Sequence, residues 1–143
     1  MKLSITPYTE EWTPAVRAMN QRLKDGGSTW GFYAQHTPSW LPRRDGDDQS
    51  VWQEYYVVAD EATVRGGFVL KPQKFYHNGV AQWAASWQGP VSEGLVDKRM
   101  AMVGMLCLRD MQQKQPLLFC WGGSDKLLQL LDALGWSRAG TPL

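Results

Sequence analysis

The sequence predicts one α/β (α+β) domain over residues 1–143, with strands and helices packed in layers around a single core. Three observations predict it. Apolar patterns run in the order strand, helix, long loop, three strands, helix, strand, helix. The three consecutive strands are separated by short turn signals, as a meander requires. Hydrophobic residues make up 43% of the chain and charged residues 20%, which fills one core and argues against disorder.

Leu3 to Pro7 reads as a short first strand. Thr13 and Pro14 then offer an N-cap and a favoured first helical residue, and Val16, Met19 and Leu23 recur on one face. Gly26-Gly27 stops that helix, because glycine accepts the left-handed conformation at a helix end. From Ser28 to Gln53 neither period is present, and the stretch is too long for a passive connection. It is expected to be a functional loop, with room for one short helix.

Trp52-Gln-Glu-Tyr-Tyr-Val-Val-Ala59 has strand propensity and ends at Asp60-Glu-Ala-Thr63, a hairpin turn whose returning strand is Val64 to Lys71. Gly66-Gly67 inside that strand predicts a bulge or a close backbone approach. His77-Asn78-Gly79 is the next turn, and Val80 to Gly89 the next antiparallel strand. Asp97 to Gln113 carries Met100, Val103, Met105, Leu106, Leu108 and Met111, an apolar face broad enough for a central buried helix. Pro116 to Trp121 is a short apolar run that reads as a buried strand. Ser124 caps the last helix, Leu127, Leu128, Leu131 and Leu134 form its inner face, and Gly135 ends it.

Charge excludes some functions. With 15 basic and 14 acidic residues the net charge is +1, so neither nucleic acid nor an anionic membrane is an expected partner. Met1 to Tyr8 has no apolar run of the kind that a signal peptide or membrane span needs, and the expected location is cytoplasmic. Cys107 and Cys120 lie inside apolar runs and read as structural thiols. His36 and His77 stand apart without ligands at a recognised spacing, so no metal is expected. Asp45-Gly-Asp-Asp48 lacks the spaced ligands and terminal glutamate of a calcium loop and reads as a solvated turn. Ser86, Ser92 and Ser124 lack the context of a hydrolase triad.

The long loop carries Trp30, Phe32, Tyr33, Trp40 and the pair Arg43-Arg44. Aromatic walls with guanidinium groups suit a planar, carboxylated or phosphorylated small molecule, which makes Trp30, Tyr33, Trp40 and Arg43 candidate substrate-binding residues. The same residues would also serve to pack the loop onto the sheet, or as anchors of a protein interface.

The element order, the Gly66-Gly67 break, the segment Gln88-Gly-Pro-Val-Ser-Glu-Gly94 and the helix ending Leu131-Asp-Ala-Leu-Gly-Trp136 together resemble the GNAT acyltransferase superfamily, over nearly the whole chain. The resemblance implies a central mixed, mostly antiparallel sheet flanked by helices. It also implies that acetyl-CoA or another acyl-CoA lies between the fourth and fifth strands, Val80 to Gly89 and Pro116 to Trp121. The pyrophosphate is then expected at the start of the central helix, from Val91 to Lys98, where free backbone N–H groups favour anions. The implied cofactor contacts are Val91, Ser92, Gly94, Lys98, Arg99 and, from the turn Gly122-Gly123-Ser124, Ser124. Gly94→Asp is expected to abolish acyl-CoA binding while leaving the fold intact.

Under that resemblance the activity is acyl-CoA-dependent N-acyl transfer by direct attack of an amine, from a small-molecule amine or a protein acceptor. Glu93 and Glu54 are the candidate bases. Their plainer roles are a first-turn acid and an outward-facing strand residue.

The chain departs from the family in three places. The sequence does not contain the run usual in the cofactor segment, Arg or Gln, two residues, Gly, one residue, then Gly or Ala. Leu131 stands where many relatives carry a proton-donating tyrosine, four residues before the helix-ending glycine. After Ser137 to Leu143 the family's final hairpin is incomplete, which implies a homodimer partner, an adjoining domain or a short edge protected by Pro142. The alternative to an enzyme is therefore a noncatalytic GNAT-like ligand-binding or protein-assembly domain.

Overall fold

The computed structural model describes residues 1–46, 48–121 and 123–139. Five strands form one sheet in sequence order: β1 (Leu3–Pro7), β2 (Glu54–Asp60), β3 (Thr63–His77), β4 (Val80–Ser92) and β5 (Leu118–Phe119). Pairing is antiparallel from β1 through β4, and β4 pairs with β5 in parallel. This is the mixed, mostly antiparallel sheet that the sequence predicts.

Alternation along the strands separates two apolar faces. Tyr55, Val57, Val64, Val69 and Val91 pack with Val16, Met19 and Leu23 of α1 (Thr13–Asp25). On the other face, Val58, Phe68, Leu70, Ala85 and Trp87 pack with Val103, Cys107, Leu108 and Met111 of α2 (Val103–Lys114). Leu131 of α3 (Asp125–Ala133) completes that second cluster.

α1 presents the expected face and stops as expected. Gly27 has φ +88°, and the Ser28 amide donates back to the Leu23 carbonyl at 2.9 Å. Its start differs, because a 3-10 turn at Glu10–Trp12 leads directly into the helix and makes Thr13 its first residue rather than its cap. The following loop holds no helix among the described residues. Asn20 fastens it to α1 from both sides, donating to the Phe32 carbonyl and accepting from the Phe32 amide, each at 2.8 Å.

The Gly66-Gly67 pair meets both expectations. The register shifts at Val58/Ala59 against β3 and again at Gly67/Val69 against β4. A Cβ on Gly66 would lie 2.7 Å from a methyl of Val103, and one on Gly67 would lie 2.9 Å from the ring of Phe32. Only glycine lets β3 lie this close to α2 on one face and to the loop on the other.

β3 and β4 run further than their sequence patterns, to His77 and Ser92, around an Asn78-Gly79 turn with φ of 51° and 76°. The end of the hairpin meets solvent, so Phe75 and Tyr76 of the added part of β3 are exposed, like Val80 and Trp83 opposite, and no half-buried alternation marks that extension.

The central helix starts at Val103 rather than Asp97. Asp97 is extended, and its carboxylate accepts the Arg99 amide at 3.0 Å, an Asx-type contact that competes with helix formation. Glu93–Leu95 and Lys98–Met100 form two 3-10 turns instead. The helix's apolar face is also narrower than expected, because Met105 is exposed and Leu106 half-buried. β5 is a half-buried pair of residues rather than a six-residue buried strand. Ser124 caps α3 by accepting the Leu127 amide at 3.2 Å, while Leu134, expected inside, is exposed. Gly135 closes α3 with φ +84° and the Trp136 amide bonded to the Leu131 carbonyl at 3.0 Å. No strand follows β5 among the described residues, and Pro142 lies outside them.

Candidate functional site

The site begins with a defect in β4. Gln88 pairs with Val69 and Val91 with Gly67, so Gly89 and Pro90 together stand opposite Phe68 alone. Two residues against one is a bulge, and Pro90 has no N–H to return to a ladder. On the other edge of β4, Ala85 pairs with Leu118 and Ser86 with Phe119, after which the parallel pairing ends. From Trp87 onward no strand among the described residues pairs with that edge of β4. Trp87 packs near Trp136, with ring centroids 6.1 Å apart, and its buried indole N–H has no hydrogen-bond partner among the described residues.

Beyond the bulge the chain turns through the residues named as cofactor contacts. Val91 is buried in the cluster that includes Val16, Met19 and Leu23 of α1. The Ser92 hydroxyl accepts the Gly94 amide at 3.0 Å and so shapes the first 3-10 turn. Gly94 is held by packing, since a Cβ there would lie 2.8 Å from the Met100 carbonyl oxygen. An aspartate at this position would disturb the fold itself, contrary to the expectation that Gly94→Asp leaves it intact. Lys98 and Arg99 are exposed in the second turn, and Asp97 holds the Arg99 guanidinium through Nε at 3.1 Å and Nη2 at 2.8 Å. Ser124 is exposed at the start of α3, although the turn it belongs to includes Gly122, outside the described residues.

With α2 beginning at Val103, the anion-attracting helix start lies at Val103 to Met105 rather than at Val91 to Lys98. Arg99-Met100-Ala101-Met102-Val103-Gly104 leads into it and fits the family run at its first and last positions, with Met102 in place of the first glycine. Among the described residues, chain neighbours and the helix's own backbone aside, nothing lies within 4 Å of a Cβ built on Gly104, so the helix start has space there.

The two candidate bases are not brought together. Glu93 is 3% exposed, and its carboxylate accepts hydrogen bonds from Arg22 Nε and, at 2.8 Å, from Arg65 Nη1. Burial alone would raise its pKa, but the hydrogen bonds and charges of Arg22 and Arg65 outweigh that and hold it below the usual carboxylate value. A carboxylate with both oxygens engaged by cations is a poor base. Glu54 sits at the start of β2, where it accepts from Trp52 Nε1 at 2.8 Å and from the Tyr56 hydroxyl at 2.6 Å. Burial, then the bond to Glu54 and the charges of Glu54 and Asp110, push the Tyr56 hydroxyl far above its ordinary pKa.

The loop residues also part company. Tyr33 stacks on Tyr55 with centroids 4.6 Å apart, beside Phe32 and Tyr8, so these rings do pack the loop onto the sheet. Trp40 is exposed and faces the Lys71 ammonium at 5.2 Å, while Arg43 lies over Trp52 at 3.9 Å. Trp30 is exposed. Arg22, Arg65 and Trp52 were not among the candidates, and no local pattern marks them. Their roles come from partners distant in sequence or from side-chain direction alone.

No family model and no curated protein matches the sequence. Solved structures do resemble the fold. A glucosamine-6-phosphate N-acetyltransferase from Arabidopsis thaliana is 12% identical with a TM-score of 0.59, covering 100% of this chain and 97% of its own. A transcriptional regulator from Bacillus halodurans C-125 is 12% identical with a TM-score of 0.59, covering 99% and 97%. An aminoglycoside acetyltransferase from an uncultured soil metagenomic sample is 11% identical with a TM-score of 0.56, covering 100% and 97%. The chain has a GNAT-like fold.

Proposed function

We propose that this protein is an acyl-CoA-dependent N-acyltransferase that takes acetyl-CoA or another acyl-CoA into the gap between β4 and β5. The observation that carries the reading is the coincidence of the Gly89-Pro90 bulge with the end of β4–β5 pairing at Ser86 and Phe119. Together they leave the β4 edge free to bond an extended ligand and to polarise a thioester carbonyl. Lys98, Arg99 and the first N–H groups of α2, with space at Gly104, would hold the pyrophosphate.

The reaction is direct. The acceptor amine attacks the thioester carbonyl, the new C–N bond forms, the C–S bond breaks, and the thiolate leaves. Leu131 is buried in the core and donates nothing, so water in the gap takes the proton that the acylated nitrogen loses and passes one to the departing thiolate. Glu93 serves as a structural clamp in this reading. The acceptor is a small-molecule amine or a protein. The reading also includes a cytoplasmic setting, in keeping with two free cysteines, and a homodimer partner or adjoining domain over the outer edge of β5.

Leu131 and the locked Glu93 favour a second reading, a noncatalytic GNAT-like ligand-binding or assembly domain. Isothermal titration with acetyl-CoA, with CoA and longer acyl-CoAs in parallel, separates them at the donor site. Saturable one-to-one binding is expected. Neither heat nor thermal stabilisation with any of these ligands would overturn the donor site and leave the second reading.

A further inference from the structure

We propose that a cleft at the free edge of β2 binds a small zwitterion, its ammonium group at Glu54 and its carboxylate at Arg43. The cleft has a volume of about 350 Å³ and is walled by Pro7, Tyr8, His36, Arg43, Glu54 and Tyr55, among others. Its cause is in the backbone. β1 ends at Pro7, with the Tyr8 amide making one last bond to the Tyr55 carbonyl at 2.9 Å. The long loop returns at Leu41, whose carbonyl accepts the Gln53 amide at 2.7 Å. The cleft opens between those two attachments.

Arg43 and Glu54 both line it, and no ion pair joins them among the described residues. The Glu54 carboxylate is bonded to neutral donors, the Trp52 indole and the Tyr56 hydroxyl, and forms no ion pair among the described residues. Arg43 lies over the face of the same indole, 3.9 Å from its centroid, and it too forms no ion pair among the described residues. Trp52 thus holds the acid at its edge and the guanidinium on its face. The nearby Lys114 ammonium, 4.8 Å from the Tyr56 ring centroid, is already paired with Asp110.

Each charged group keeps hydrogen-bonding capacity: the carboxylate has further lone pairs and the guanidinium has several N–H donors. A simple cation would gain Glu54 but meet Arg43, and a simple anion would gain Arg43 but meet Glu54. A ligand carrying both an ammonium and a carboxylate satisfies the pair, in a cleft that Tyr8 and Tyr55 also line. β3 and β4 separate this edge from the β4–β5 gap, so the inference does not depend on acyl-CoA binding.

The test uses the full chain without CoA. The Trp52 indole N–H is followed by nitrogen-edited NMR during titration with β-alanine and γ-aminobutyrate, and with ethylamine and propionate as single-charge controls. Saturable shifts with at least one amino acid are expected, together with binding weaker by about tenfold or more for both controls. Arg43→Gln and Glu54→Gln are each expected to weaken amino-acid binding by about tenfold or more. Arg43 is an exposed loop residue, so its variant carries the test if Glu54→Gln fails to fold. No saturable shift with either amino acid would overturn the proposal. So would equal affinity for the single-charge controls, or undiminished binding by Arg43→Gln.

Discussion

Arg65 of β3 donates to the buried carboxylate of Glu93 at 2.8 Å, while Arg22 reaches the other oxygen from α1. One acid thus ties the first helix and the sheet to the turn that follows β4. Removing it leaves two guanidinium groups without their shared anion, one of them 37% and the other 22% exposed. Glu93→Gln is therefore expected to cost about 2 kcal/mol, below the range for fully buried pairs because both cations retain some water. Urea denaturation at neutral pH measures it.

The same contact has an acid limb. The pKa of Glu93 is lowered in the folded state, so the unfolded chain takes up its proton first. The stabilisation is fully present above the ordinary glutamate value of 4.5 and is lost as pH falls through the lower folded value. Glu93→Gln should flatten that part of the stability curve. A variant as acid-sensitive there as the parent would show that other carboxylates dominate.

Glycines separate tolerant from intolerant positions. Gly66→Ala would place its Cβ 2.7 Å from both the Val103 methyl and the Val91 carbonyl oxygen, and is expected to cost about 1–3 kcal/mol. Gly94→Ala, at 2.8 Å from the Met100 carbonyl oxygen, should fall in the same range of about 1–3 kcal/mol. Gly89→Ala meets nothing within 4 Å among the described residues beyond its chain neighbours and should change the denaturation midpoint little.

The two thiols should differ sharply. Burial, with a smaller contribution from the Asp110 charge, pushes Cys107 up to about 12, and the residue is fully enclosed. Cys120 is half-buried and is raised by burial alone. A thiol reagent at neutral pH is expected to label Cys120 slowly in the native protein and Cys107 only on unfolding. Equal native labelling of both would contradict the packing of α2.

What the sequence disclosed follows the range of the forces involved. The α1 face at Val16, Met19 and Leu23, the Gly27 stop and the Asn78-Gly79 turn depend on neighbouring residues and could be read locally. The start of α2 could not, because the Asp97 side chain decides it against an apolar pattern that runs straight through. The Glu93 fork joins residues 71 and 28 positions apart, and the shared use of Trp52 by Arg43 and Glu54 depends on ring orientation. Neither leaves a periodic trace.

Met102 gives the donor-site reading its sharpest test. It is the N-cap residue of α2 and is 53% exposed, and under the proposed donor site it stands where the family's pattern has its first glycine. A side chain there stands at the backbone that a pyrophosphate would approach, whereas glycine is well accepted at an N-cap. Met102→Gly should therefore preserve the fold and raise acetyl-CoA affinity by about tenfold, or about 1.4 kcal/mol. Arg99→Ala should lower that affinity by a similar factor of about ten, through loss of a charge-assisted phosphate contact. Titration calorimetry on both variants reads the effects. Opposite shifts would tie the ligand to the start of α2, while affinity unchanged in both would move the pyrophosphate elsewhere.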